Sequence, residues 1–375
     1  MTLTIKKVEG KSMTNKFIDF PHSLYREDPH YVPEIAMGQR ELLSLKKNPF
    51  FKHSEAQLFL AFRDGKIVGR VAAILNNNYN EYHECNVGFF GFFDTIEDYT
   101  VAESLLDTAQ EWVRQKGVDS ILGPTNLTTN DTAGVLVDGF DGSPMIQMTY
   151  NFPYYASFLE RYGFSKEMDL YAYFIPTQGV NEKSLKMASF LQQRLERNDI
   201  TFRSVNMKRL NEDLMSIKKI YRGAWEKNWG FVPPTDEEFD HIAEGLKLLI
   251  DPDYVFIAEK ENEIVGFGAG VPNINEITKG FKKGRLFPFN IIKLLTRKKK
   301  VKSIRILLLG VLEEYRKSGI AAVFFANFIK VAKEKGLKGG EASWVLENNV
   351  EMTRGAENLN GEKYRTYRIY SKNLA

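Results

Sequence analysis

The stretch Val311-Leu312-Glu313-Glu314-Tyr315-Arg316-Lys317-Ser318-Gly319-Ile320-Ala321 joins an apolar run to an amphipathic one. Before it, Ile304 to Leu312 is mostly branched aliphatic and predicts a buried strand. After it, Val323, Phe324, Phe328 and Val331, with Phe325, Ile329 and Ala332, recur at helical spacing up to Gly336, a helix stop. A helix start leaves backbone N–H groups without internal partners, and glycine lets backbone approach a ligand closely. Residues 317–322 can therefore aim several donors at one anion such as a diphosphate, with Arg316 adding charge at the rim. An ordinary strand-to-helix turn, with Gly319 chosen for its backbone alone, explains the same residues.

The turn resembles the pyrophosphate loop of the GCN5-related N-acetyltransferase (GNAT) superfamily, Arg/Gln-x-x-Gly-x-Gly/Ala between a central strand and the next helix. Arg316, Gly319 and Ala321 fill that pattern, and Val311 and Tyr315 stand where the family usually carries a Val and a Tyr. The resemblance implies that Val311, Arg316, Lys317, Ser318, Gly319, Ile320 and Ala321 bind acetyl-CoA or another acyl-CoA as co-substrate, without a metal. It implies direct attack by an amine on a thioester held where two parallel strands part, here Leu308–Leu312 and Trp344–Asn348. Asn349 matches the Asn that commonly opens the next helix near the cofactor. The family's thiolate-protonating Tyr would fall at Ala356, a departure that leaves Tyr364 or Tyr367 to supply a phenol. Tyr364 is the candidate acid, with simple packing as its other reading. The candidate catalytic strand carries no carboxylate, so a base must come from Glu347, Glu276 or a chain of waters. Glu347 is the candidate, although a Glu beside a strand end is commonly just solvated.

At 375 residues the chain is long enough for two domains, and 43 % apolar residues can fill two cores. A net charge of +3 argues against a general nucleic-acid binder. The single cysteine, Cys85, excludes an internal disulfide or a cysteine-clustered zinc site, and the five histidines show no ligand spacing. No stretch approaches the roughly 20 apolar residues of a membrane span, and the start lacks a signal core, so a cytoplasmic protein is expected.

Residues 59–69 (FLAFRDGKIVG) and 256–266 (FIAEKENEIVG) share Phe, Ala, Ile, Val and Gly at an offset of 197. Both predict a β-hairpin. Each is followed by an apolar strand (Val87 to Phe93; Ile304 to Leu312), a helix ending at Gly117 or Gly336, and another strand (Ser120 to Leu122; Ala342 to Leu346). The helix-ending glycines lie 219 apart where the hairpins lie 197 apart, so the second copy carries about 22 extra residues near 276–302. On the second offset Glu97, Asp98, Thr100 and Ala102 fall opposite Arg316, Lys317, Gly319 and Ala321. The first copy is acidic where a diphosphate would sit, which suits a helix dipole and repels an anion. Tyr154 to Phe164 looks like the superfamily's last helix and its Gly-Phe ending, followed by strand Leu170 to Ile175 and a linker at Pro176.

These readings give an α/β chain of two tandem GNAT-like domains, each a mixed twisted sheet flanked by helices. Residues 1–175 form a degenerate copy whose first 54 residues are helical and loop cover, and 176–375 form the copy with the acyl-CoA site. The expected reaction is N-acylation, with acetyl the first choice, of a small-molecule or peptide amine. Alternatives are a Fem-like transferase that takes its group from aminoacyl-tRNA and a non-catalytic module binding CoA or another anion. Residues 225–235 and the polar loop 123–151 are candidate walls of an acceptor pocket, or a core cap and a set of turns. From Ile277 to Leu312 there is no acidic residue against eleven cations, Lys279, Lys282, Lys283, Arg285, Lys293, Arg297, Lys298, Lys299, Lys300, Lys302 and Arg305. That segment reads as a lid over cofactor phosphates, as a contact of 279–302 with anionic lipid or RNA, or as a solvated loop with one apolar side.

Overall fold

The computed structural model describes residues 2–226, 228–247 and 249–374, so Lys227 of the candidate pocket segment lies outside the described residues. Two compact units divide the chain. The first comprises Met1–Asp169, Ile277–Leu294 and Thr366–Ala375, and the second Leu170–Glu276 and Leu295–Arg365. A cut at 175/176 follows the repeat in the sequence, whereas the compact units interleave it: each is completed by chain from beyond that point.

The first unit contains strands β1 (Leu3–Lys7), β2 (Glu55–Arg63), β3 (Lys66–Leu75), β4 (Val87–Thr95), β5 (Ser120–Gly123) and β6 (Val135–Asp138). Its helices are α1 (Gly10–Leu24), α2 (Ala36–Leu42), α3 (Asn77–Tyr82), α4 (Tyr99–Arg114) and α5 (Tyr154–Arg161). The first 54 residues, expected to be helix and loop, also supply an edge strand, with β1 paired to β2 from Leu3↔Arg63 to Lys7↔Phe59. Its two apolar residues are too few to announce a strand without the partner edge. The β2–β3 hairpin turns through Asp64 and Gly65, both at positive φ, the geometry whose twist matches paired strands. β4 and β5 run parallel from Val87↔Ser120 to Phe89↔Leu122, and the crossover helix α4 buries Val101, Leu105, Leu106, Ala109 and Val113 against them.

The sheet of the first unit ends with chain from the far C-terminus. Within β13 (Glu362–Asn373), residues Tyr370 to Asn373 pair with Gly123 to Ser120 of β5. Tyr370 is fully buried in the core with Tyr155 and Leu159, and its hydroxyl donates to Glu160 Oε1 at 3.0 Å.

The second unit repeats the plan with strands β7 (Ser165–Pro176, of which Leu170 onward belongs here), β8 (Ile200–Ser204), β9 (Val255–Lys260), β10 (Glu263–Pro272), β11 (Ser303–Val311) and β12 (Gly339–Leu346). Helices α6 (Glu182–Glu196), α7 (Leu210–Ala224), α8 (Asp236–Lys247), α9 (Asn275–Thr278), α10 (Asn290–Arg297), α11 (Ile320–Glu334) and α12 (Val350–Glu357) follow. The β9–β10 hairpin turns through Glu261 and Asn262, again both at positive φ. α11 packs Val323, Phe324, Phe325, Phe328 and Ile329 against Ile304, Ile306 and Ala342. Glu341 to Gly339 of β12 pair with Phe174 to Pro176 of β7.

Removing the side chain of Tyr370 should destabilise the first unit by about 3–5 kcal/mol, the usual cost of truncating a buried aromatic ring. Urea unfolding of Tyr370→Ala reads this as a lower midpoint. An unchanged midpoint would mean that the C-terminal strand is not part of that core.

Candidate functional site

The N-terminus of α11 is prepared by its own sequence. Residues Glu313–Ser318 form a short 3-10 turn, and Gly319 follows at φ 101° as the N-cap, with no side chain capping the helix. Only a residue without Cβ adopts that φ readily, and a Cβ there would also lie 3.3 Å from Leu191 of α6. The helix thus begins without a side-chain cap from its N-cap residue and with the positive end of its dipole, the Ile320 N–H reaching Ser318 Oγ at 3.4 Å. Ser318 donates its hydroxyl to the carbonyl of Tyr315 at 2.6 Å, and Arg316 donates to the carbonyl of Ala224, the last residue of α7, at 2.9 Å. Val311 and Ile320 are buried in the core, Arg316, Ser318, Gly319 and Ala321 are half-buried, and Lys317 is exposed.

The matching turn of the first unit is closed. Asp98 caps α4 by accepting the N–H of Thr100 at 2.9 Å and is held by Arg63 at 2.7 Å. The Arg63 hydrogen bond keeps this carboxyl below the usual carboxylate range, so it stays anionic. A carboxylate of the chain itself caps this helix, where the second unit's N-cap, Gly319, has no side chain to do so.

Beside the open turn, β11 and β12 part. Their parallel pairing runs from Ser303↔Gly339 to Ile306↔Ala342 and stops there, although the strands continue to Val311 and Leu346. Both strands are irregular at that point. Against β10, β11 slips one residue between Ile306 and Leu308. Against β7, β12 shifts register between Ala342 and Val345, which leaves Ser343 and Trp344 out of that ladder. Bulges of this kind re-aim side chains and backbone groups at a strand end.

Beneath the parting lies a buried polar network. Arg305 and Glu341, opposite one another in the ladder, are 2 % and 0 % exposed. Arg305 Nε donates to Ser343 Oγ at 2.9 Å, Ser343 Oγ donates to Glu341 Oε1 at 2.5 Å, and Arg305 Nε stands 3.9 Å from the same oxygen. The phenol of Tyr364 donates to Glu341 Oε2. The Arg305 guanidinium also lies 5.2 Å from the centre of the Trp344 ring. A buried carboxylate costs several kcal/mol unless its oxygens are satisfied, and here both are.

The face opposite α11 carries this network and an apolar wall. Phe267 and Ala269 of β10 pair with Gly310 and Leu308 of β11, and Val271 with Arg305, so all of them project to one side. Trp225 covers Gly310 so closely that a Cβ would lie 2.6 Å from its ring. Tyr221, Phe231 and Phe239 extend the aromatic layer. Residues 225–235 were read as either an acceptor-pocket wall or a core cap; Phe231 and Val232 are buried, and Trp225 lies over the sheet face at Gly310. α7 is fixed by Asp213, which accepts two hydrogen bonds from Arg203; burial pushes this carboxyl up, but those bonds and the Asn206 N–H hold it below the ordinary value.

The other sequence candidates are distributed unevenly. Tyr364 is half-buried and joins the network, whereas Tyr367 is fully buried and belongs to the first unit. Glu347 is half-buried in the turn after β12. Glu276 accepts the N–H of Lys302 and the hydroxyl of Ser303, which ties down the start of β11. Asn349 caps α12 by accepting the Met352 N–H at 3.1 Å, and Ala356 is buried in the core. In the polar loop, Asn126 accepts from the Phe92 N–H and Asn151 bridges the N–H and carbonyl of Leu136, so these amides stitch the loop to the first unit. The sequence reading missed Arg305 and Glu341. A charge of each sign in the middle of two apolar strands was the available signal.

Residues 214–355 match the acetyltransferase (GNAT) family. The chain is 35 % identical, over 99 % of its length and 98 % of the relative's, to a protein of Caulobacter vibrioides named bacterial ceramide synthase. It is 34 % identical, over 97 % of its length and 94 % of the relative's, to the protein YghO of Escherichia coli. Among solved structures it resembles a tandem GNAT protein from the clavulanic acid biosynthesis pathway (TM-score 0.59, 10 % identity, 100 % of this chain and 99 % of that one). It also resembles a GCN5-related N-acetyltransferase from Sphaerobacter thermophilus (TM-score 0.52, 13 % identity, 99 % and 95 %). At such identities these structures attest the fold.

Replacing Arg305 by Met leaves the Glu341 carboxylate buried without its cation. The loss expected is about 3–5 kcal/mol, measured as the shift in urea midpoint. A shift below about 1 kcal/mol would mean that the pair is electrostatically idle.

Proposed function

Because this chain belongs to the GCN5-related N-acetyltransferase superfamily, with two copies of the fold in tandem, we propose that it transfers an acyl group from acyl-CoA to the primary amine of a long-chain amino alcohol. The observation that carries the acyl-CoA part is the uncapped, glycine-led start of α11 beside the parting of β11 and β12. The acceptor class comes from the relative named a ceramide synthase, since a ceramide is the amide of a long-chain amino alcohol. The apolar wall of Phe267, Leu308 and Trp225 beside a buried carboxylate suits an acceptor with an alkyl chain and a cationic head.

The residues divide the work by their chemistry. Amides of Gly319 to Ala322 and the α11 dipole hold the diphosphate, and backbone N–H groups at the bulge of β11 orient the thioester carbonyl. The acceptor arrives as an ammonium and must lose a proton before it attacks. Tyr364 takes that proton as it passes its own to Glu341, whose second oxygen stays tied to Ser343 and close to Arg305. A second proton leaves the nitrogen as the C–N bond forms and goes to the departing sulfur. The Trp225 layer limits water at the reacting centre.

Incubating the purified protein with acyl-CoA of two and sixteen carbons and a saturated long-chain amino alcohol tests the reading. Expected are thiol release dependent on the amine and an amide product by mass spectrometry. Thiol release with short polyamines but none with the amino alcohol would reject the acceptor, and dependence on aminoacyl-tRNA would reject the donor. Gly319→Asp should abolish CoA binding in calorimetry, because it puts bulk and negative charge where the amides converge, while the intact protein binds one CoA per chain. Two equal sites would mean that the Asp98 turn is not closed. Tyr364→Phe should lower kcat by about 100-fold with little change in KM for acyl-CoA; an unaltered kcat would remove the phenol from the reaction.

A further inference from the structure

The basic segment is left over once the acyl-transfer site is assigned, and it has two sides of opposite character. Its inner side is anchored: Phe281, Leu286 and Leu294 are buried, and Lys283 Nζ meets Asp19 Oδ2 of α1 at 2.6 Å. Its outer side carries Phe287, Phe289, Ile292 and Leu295, exposed at 66, 77, 59 and 57 %. On α10 Ile292 and Leu295 are one turn apart, and Phe287 and Phe289 lie in the turn immediately before the helix, so the four make one short exposed apolar run. Single exposed apolar side chains are ordinary on a protein surface, but four within residues 287–295 make a patch of the kind that marks a binding surface.

The surrounding charge has one sign. Lys279, Lys282, Arg285, Arg297, Lys299, Lys300 and Lys302 are all exposed, and no acidic residue occurs between Ile277 and Leu312. Among the described residues, Lys283 is used internally by Asp19, Lys298 by the carbonyl of Ile250 at 2.8 Å, Arg305 by Ser343, and Lys293 by the Phe281 ring at 5.5 Å. Among the described residues no helix is long and apolar enough to cross a membrane. An amphipathic helix with an apolar stripe and a cationic border instead lies in the plane of a bilayer interface, its apolar side chains among the acyl chains and its cations at anionic headgroups.

We propose that residues 285–300 dock this protein on the surface of an anionic lipid bilayer, with Phe287, Phe289, Ile292 and Leu295 inserted and Arg297, Lys299 and Lys300 against the headgroups. The aliphatic half of the run decides against RNA, which would reward flat rings able to stack on bases and give Ile292 and Leu295 nothing. This inference stands apart from the acyl-transfer reading, since its test reads binding without turnover.

The full-length protein is sedimented with phosphatidylcholine vesicles containing roughly 30 mol % phosphatidylglycerol at about 0.1 M salt, where the Debye length is near 10 Å. Expected is partition into the pellet that falls at least tenfold on pure phosphatidylcholine, because each cation near an anionic surface contributes on the order of fivefold. Phe287→Ser with Phe289→Ser, and separately Ile292→Ser with Leu295→Ser, should each lose roughly tenfold on the anionic vesicles with melting temperatures unchanged. Arg297→Ser, Lys299→Ser and Lys300→Ser together should lose the preference for phosphatidylglycerol. The proposal is overturned if the wild type stays in the supernatant, if the apolar variants partition like wild type, or if a mixed-sequence RNA binds salt-sensitively while vesicles do not.

Discussion

Two charges buried between parallel strands set the terms for the rest of the second unit. Arg305 and Glu341 face each other at the next-to-last paired positions of β11 and β12, and neither can be removed from water alone. Ser343 and Tyr364 fill the remaining bonding capacity, and Ser343 does so from the stretch of β12 that has left the ladder with β7. The polar network and the opening of the strands therefore support one another. Beyond it the strands bond no further, and the gap they leave lies beside the start of α11.

The same turn has two fillings in the two units. In both, a central strand passes into a crossover helix packed on the sheet by aliphatic and aromatic residues. Asp98 closes the first helix with its own carboxylate, held by Arg63, while Gly319 leaves the second open. A helix N-terminus attracts negative charge from whatever source is nearest. Supplying that charge from the chain gives a structural cap; withholding it leaves the helix start without one. The unit with the internal cap also supplies the anchorage for the basic segment through Asp19.

Sequence order and spatial units do not coincide, and the cause is sheet completion. Each copy leaves its own sheet needing a last strand, and the available strands come from residues 170–176 in one case and 366–373 in the other. The insertion of the second copy joins the first unit through residues 277–294 for a similar reason, since Phe281 and Leu286 bury where they find cover. Strand periodicity says that a segment will pair but does not say with which edge.

The sequence by itself determined the local grammar: the two hairpins, the apolar central strands, the helices ending near Gly117 and Gly336, and the contrast between the acidic Glu97–Asp98 turn and the basic, glycine-containing turn at 316–319. Each rests on residues close together in the chain, where backbone preference, capping and periodicity act without distant partners. The tertiary structure alone decided the partner of Glu341. Arg305 reads in sequence as one more cation beside a basic run, and Glu341 as one acid in an apolar strand; thirty-six residues separate them. Only the parallel register brings them opposite each other, and only burial turns them from ordinary surface charges into a coupled pair. The same holds for Trp225 over Gly310 and for the exposed apolar residues of α10, because which face of a strand or helix meets solvent is settled by what packs against its other side.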